Sequence, residues 1–178
     1  MKETITKIAA ACRQLDQAID LYFQEGDPIA IHTLACAAHQ VIHDINQHRK
    51  GAELLFDSIV IKDEYRGLAK KYLNKHYNFF KHANNDPDPD GIIEFDPIGT
   101  EIFILTAIRG LLHLSIQLNI KHSAFLSFFC FHNPKLLTQK GLQLYVNNIP
   151  SDQLQHIRSL KRGDFIEAFL RLNSQGFI

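Results

Sequence analysis

His32, Cys36, His39 and His43 recur at i, i+4, i+7 and i+11, which at about 3.6 residues per turn puts four nitrogen and sulfur donors on one face of a helix. Neighbours at i and i+4 can give two ligands to a divalent metal such as zinc, with another helix giving the rest. His76, His82, Glu101 and His113 are the residues elsewhere in the chain suited to complete such a shell. The apolar residues of the same helix, Ile31, Leu34, Ala38, Val41, Ile42 and Ile45, point away from the stripe, so the histidines are expected on a flank or groove. No HExxH or CxxC spacing accompanies them. Histidines hydrogen-bonded to neighbours at a helix interface give the same pattern without a metal.

The segment Lys75-His76-Tyr77-Asn78-Phe79-Phe80-Lys81-His82 interleaves polar donors with aromatic rings. His82 has the chemistry of a general acid or base near neutral pH, and Lys75 or Lys81 can neutralise a phosphate or a developing oxyanion. The alternative is structural: Phe79 and Phe80 anchor a helix end, while Lys81 and His82 complement the negative end of its dipole. Downstream, Asp86-Pro87-Asp88-Pro89-Asp90-Gly91 has the D-x-D-x-D-G opening of a calcium-binding EF-hand loop, with Glu94 at the ninth position. Pro97 stands at the twelfth, where a bidentate Glu should close the shell, so a solvated acidic loop fits better.

The elements that must position these residues are helices. Ile5, Ile8, Cys12, Leu15, Ile19 and Tyr22 alternate spacings of three and four, forming an amphipathic stripe that resembles a coiled-coil seam and suggests a homodimer. Gly26-Asp27-Pro28 breaks this helix and starts a second, with Asp27 as N-cap and Pro28 at the first position, running to about Arg49. Residues 50–62 fit either a short helix end or a strand. A third helix is expected from Asp63, where Asp63 and Glu64 suit the positive dipole end, to about Ala83. The loop Asn84 to Gly91 follows, since Pro87 and Pro89 forbid a helix.

Pro97 opens a long apolar helix to about Leu118, hydrophobic nearly all round and therefore placed at the centre of a bundle. Further helices are expected from Ser123 to His132, from Asn133-Pro134, from Pro150-Ser151, and from Asp164, which forms a capping-box pattern with Glu167. The fold class is thus all-α, a helical bundle with a long buried central helix, in one domain over 1–178.

Composition narrows the function classes. Nineteen Lys plus Arg balance nineteen Asp plus Glu, so no overall positive field draws the chain to nucleic acid. Cys12, Cys36 and Cys130 lack a paired spacing and read as reduced thiols. No apolar leader opens the chain, and Arg109, His113, Gln117 and Asn119 interrupt its most apolar stretch, Ile102 to Ile120. A cytoplasmic protein with no membrane span is expected.

Ile31-His32-Thr33-Leu34-Ala35-Cys36-Ala37-Ala38, Leu54-Leu55-Phe56-Asp57-Ser58, Lys62-Asp63-Glu64-Tyr65-Arg66 and Asn78-Phe79-Phe80-Lys81-His82-Ala83 together resemble a family of small uncharacterised bacterial proteins up to about residue 130. That resemblance implies a bacterial, cytoplasmic origin and no activity. The segment from Lys75 to His82 also resembles the HEPN superfamily of helical bundles, many of them metal-independent RNases or nucleotide-binding partners. Their signature is an Arg, usually followed by a polar residue, with a His four to six residues beyond. Asn78 and His82 match the polar residue and the His, whereas Tyr77 occupies the Arg position and Lys75 is the nearest basic substitute. The resemblance implies a bundle binding or acting on RNA or a nucleotide through Lys75, Asn78, Lys81 and His82. A metal-binding helical protein and an interaction module without catalysis are the alternatives.

Overall fold

The computed structural model describes residues 2–51, 54, 62–65, 75–81 and 87–175. The architecture is all-α: α1 (Lys7–Phe23), α2 (Pro28–His48), α3 (described over 75–81), α4 (Ile98–His113), α5 (Ile120–His132), α6 (Gln139–Tyr145), α7 (Ser151–Ser159) and α8 (Arg162–Ser174). Short 3-10 turns stand at Asp63–Tyr65 and Pro134–Leu136. Among the described residues no helix is long and apolar enough to cross a membrane.

The first two helices start where local chemistry dictates. Thr6 caps α1 by accepting from the Ala9 amide at 3.2 Å, and Asp27 caps α2 by accepting from the Ala30 amide at 2.8 Å, with Pro28 in the first turn. Each cap satisfies an otherwise orphaned amide and contributes about 1 kcal/mol. α1 and α2 pack side by side, and α4 packs against α2 and touches α1. The α1 seam is consumed inside the chain: Leu15, Ile19 and Tyr22 are buried, Ile8 and Cys12 partly so, and only Ile5 is exposed. The homodimer expected from that seam loses the observation on which it stood.

α4 is the buried central helix, with Phe103 to Ile108, Gly110 and Leu111 all inside. It is shorter than its apolar run. Ser115 adopts a left-handed φ of 59°, and the Ile116 amide bonds back to the Leu111 carbonyl at 2.9 Å, which ends the helix at His113 instead of near Leu118. α5 accordingly starts earlier than Ser123: Asn119 caps it by accepting from the His122 amide at 3.0 Å, and His122 accepts the Asn119 amide in return. Asn133-Pro134 opens only a 3-10 turn: Asn133 makes no side-chain capping hydrogen bond, and its side-chain amide nitrogen donates back to the Phe129 carbonyl at 3.1 Å. α8 begins at Arg162, so Asp164 lies in its first turn and is not the N-cap of a capping box. The strand or helix alternative for 50–62 falls almost wholly outside the described residues.

Candidate functional site

The histidine stripe is not on a flank. His32 is 1% exposed, Cys36 2% and His39 6%, because α2 is covered on the histidine side by α3, α4 and the segment leading into α4. Their neighbours are rings. His32 meets Phe95, Phe103 and Phe80 edge to face at centroid distances of 5.1, 5.5 and 5.6 Å, and His39 meets Phe103 at 5.1 Å. Seven residues of α2 separate the two histidines by about 10 Å along the helix, and the Phe103 ring contacts both. His43, at the outer end, stacks on His39 at 5.8 Å and is bonded to Gln47 and Asp44.

Of the ligands expected from elsewhere, His76 alone is seen to reach the stripe, its ring 6.3 Å from that of His32. Its Nε2 is committed, donating to the Glu94 carbonyl at 2.7 Å. His113 is exposed at the far end of α4, Glu101 points to a different cluster, and His82 lies outside the described residues. Among the described residues no group of three or more His, Cys, Asp or Glu is placed to hold a metal ion. Asp86 of the acidic loop is likewise outside them, while the Asp88 carboxylate is occupied in a turn, accepting from the Asp90 amide at 3.0 Å.

Burial sets the protonation of the stripe. Desolvation, reinforced by His76, pushes His32 down to about 4, and desolvation with His43 does the same to His39, against a smaller opposing effect of Asp44. Both rings are neutral at pH 7. The Cys36 thiol is pushed well up by burial, against a smaller pull from Lys81, so it is not a nucleophile. His32 Nδ1 is hydrogen-bonded to the Thr100 hydroxyl at 2.8 Å, whereas its Nε2 has no hydrogen-bond partner.

α3 is amphipathic, although Phe79, expected with Phe80 to anchor the helix end, is exposed. His76 is buried and Tyr77 and Phe80 are half-buried against α2, while Lys75, Asn78, Phe79 and Lys81 are exposed on the opposite side. Spacings of three place Lys75, Asn78 and Lys81 along one solvent-facing side. The Lys81 ammonium donates to the Tyr77 hydroxyl at 2.5 Å and lies 4.7 Å from the ring centroid. A cation thus sits on the Tyr77 ring and hydroxyl. A cavity of about 70 Å³ opens beside it, lined by His32, Thr33, Cys36, Ala37, Tyr77, Phe80 and Lys81.

A second polar cluster has no counterpart in the sequence reading. Tyr22 of α1 donates to Glu101 of α4 at 2.7 Å, Arg162 of α8 approaches the same carboxylate oxygen at 3.4 Å, and its guanidinium lies 3.9 Å from the Tyr22 ring centroid. Burial holds the Glu101 carboxyl above its ordinary range, against the opposing effects of Tyr22, Arg162, His132 and Asn133. With Glu101 itself these residues come from four helices, so no spacing signals them; an acid opening the most apolar helix is the only trace. The arrangement fastens the first residue of α8 to the core next to Phe165, itself buried against Phe23 and Phe128. Its partners satisfy one another, which is what a structural tie requires.

Among the described residues the large exposed apolar side chains are spread over separate elements, among them Ile5, Ile92, Leu112 and Leu144, and only Leu170 and Leu172 share one. An interaction module would gather them into one patch. No family model matches the chain, and neither a curated protein nor a solved structure shows significant similarity to it.

Proposed function

We propose that this is a HEPN-like helical protein that binds single-stranded RNA or a nucleotide along the outer side of α3. It would act in the cytoplasm, where Cys12, Cys36 and Cys130, none of them in a disulfide, stay reduced. The observation that carries the reading is the division of α3, whose exposed side offers Lys75, Asn78 and Lys81 while its aromatic side backs onto a cavity. Two ammonium groups flanking an amide suit a phosphodiester backbone: the lysines neutralise phosphate charge, and Asn78 can donate or accept at a sugar or base edge. The zero net charge of the chain makes this local pair, and not a general field, the source of affinity. In the catalytic form of the reading, His82 exchanges the proton of the attacking hydroxyl and Lys81, poised on Tyr77, stabilises charge on the phosphate.

Charge reversal tests the binding. In fluorescence anisotropy with a labelled single-stranded RNA, Lys75→Glu with Lys81→Glu is expected to weaken binding at least tenfold. The same variant should flatten the log–log salt slope by about 1.4, two phosphate contacts at roughly 0.7 each. Unchanged affinity and slope would refute the reading. RNA cleavage that survives His82→Ala would refute its catalytic form alone.

A further inference from the structure

The cavity between α2 and α3 has features that the exposed lysines do not account for. Tyr77 and Phe80 line it on the α3 side, and Thr33, Cys36 and Ala37 on the α2 side. Lys81, exposed and resting on the Tyr77 hydroxyl, belongs both to the cavity lining and to the outer side of α3. His32, 1% exposed, also lines it, and His32 Nε2 is a buried polar atom with no hydrogen-bond partner. A ligand matching this lining has a flat apolar face for the rings, a polar edge for the imidazole and an anion next to the ammonium. Resting on the RNA reading of the same helix, we propose that this cavity receives one pyrimidine base of a single-stranded RNA, its adjoining phosphate held by Lys81.

Size selects the class of base. About 70 Å³ accommodates about five water-sized groups, enough for most of a single ring and too little for two fused ones. Stacking alone would be indifferent to base identity, since every base has a π face; here the small volume of the cavity discriminates. His32 fits the role of edge reader because burial keeps it neutral, and a neutral imidazole nitrogen satisfies either a carbonyl or an amino group of a pyrimidine, according to its tautomer. The Cys36 thiol, held protonated by burial, makes the cavity a binding pocket and not a covalent one.

The test compares labelled oligouridylate and oligocytidylate with oligoadenylate of the same length, on the wild-type protein and on Ala37→Leu, which fills the cavity and leaves Lys75, Asn78 and Lys81 in place. The wild type is expected to bind the pyrimidine strands about tenfold more tightly, within the range of one stacked base. Ala37→Leu should bring them down to the level of oligoadenylate without weakening the latter. Thr33→Leu, introduced from an exposed position of α2, gives the same reading if Ala37→Leu does not fold. Equal wild-type affinity for all three strands, or a pyrimidine preference that persists in both filled variants, overturns the pocket and leaves the RNA reading standing. Absence of binding to any of the strands overturns both.

Discussion

Acidification from pH 7 to pH 5 is expected to remove about 2 kcal/mol of stability for each of His32 and His39, from the proton that each takes up on unfolding. Both have folded-state values depressed to about 4 from an ordinary 6.5. Their contribution is therefore complete above pH 6.5 and declines as the unfolded chain binds protons that the folded chain refuses. It is gone below about pH 4, where both states are protonated. Two such groups together approach the whole stability of an ordinary domain, which is about 5–15 kcal/mol, so cooperative acid unfolding is expected before pH 4. Glu101 acts in the opposite sense, because its raised value favours the folded state as pH falls. The comparison that isolates the histidine effect is therefore wild type against His39→Leu in urea melts at pH 7 and pH 5. His39 Nε2 has no hydrogen-bond partner, so leucine forfeits little at pH 7, and the variant is expected to be about 2 kcal/mol less acid-sensitive. Identical pH dependence of the two proteins would show that His39 is not held neutral by the core.

Gly110→Val is expected to destabilise the protein by about 3 kcal/mol or more, at the upper end of overpacking effects. A Cβ at this position would stand 2.4 Å from Ile42 Cγ2 and 2.8 Å from Leu54 Cδ1. Ile42 is β-branched, fully buried and unable to swing aside within its helix. Relief comes only from parting α4 and α2, and those are the helices joined by the His32–Thr100 hydrogen bond and the Phe103 contacts. The gain in helix propensity on losing a glycine, up to about 1 kcal/mol, falls short of that cost. Gly163→Ala is the control, since its added Cβ meets only the Phe23 carbonyl oxygen at 3.8 Å, and it should stay within about 1 kcal/mol of wild type. Thermal unfolding of the two variants decides the matter, and equal melting temperatures would contradict the close approach of α2 and α4.

How much of this was legible beforehand depended on whether a feature is local. Asp27 and Pro28 announce α2 because capping is settled within four residues, and the α1 stripe announces its buried face because periodicity is a property of one helix. That stripe did not say what covers it, and α2 and α5 turned out to do so. The end of α4 was hidden for a different reason: Leu114, Ile116 and Leu118 continue the apolar pattern, while the helix stops on a left-handed serine that composition does not mark. The histidine stripe was located correctly and its environment was not. A polar residue type argues for a flank, but Phe80, Phe95 and Phe103 arrive from three other parts of the chain to enclose it. The meeting of Tyr22, Glu101 and Arg162 was missed for a related reason, since 79 and 61 residues separate the bonded pairs and no spacing rule reaches so far.

The interleaving of Lys75, Asn78 and Lys81 with aromatic residues was legible in α3, but which rings are covered was not, since Phe80 packs against α2 while its neighbour Phe79 is exposed. The cavity behind α3 could not be read, because half of its wall comes from α2.

The central claim, that α3 and the cavity beside it form the RNA-binding surface, is tested most directly by mapping amide chemical shifts of the protein during titration with single-stranded oligouridylate. Saturable shifts are expected to concentrate at Lys75 to Lys81 of α3 and at His32, Thr33, Cys36 and Ala37 of α2, with α7 and α8 unmoved. Shifts confined to the basic residues near the start of α8, Arg158, Lys161 and Arg162, or no saturable shift anywhere, would contradict it.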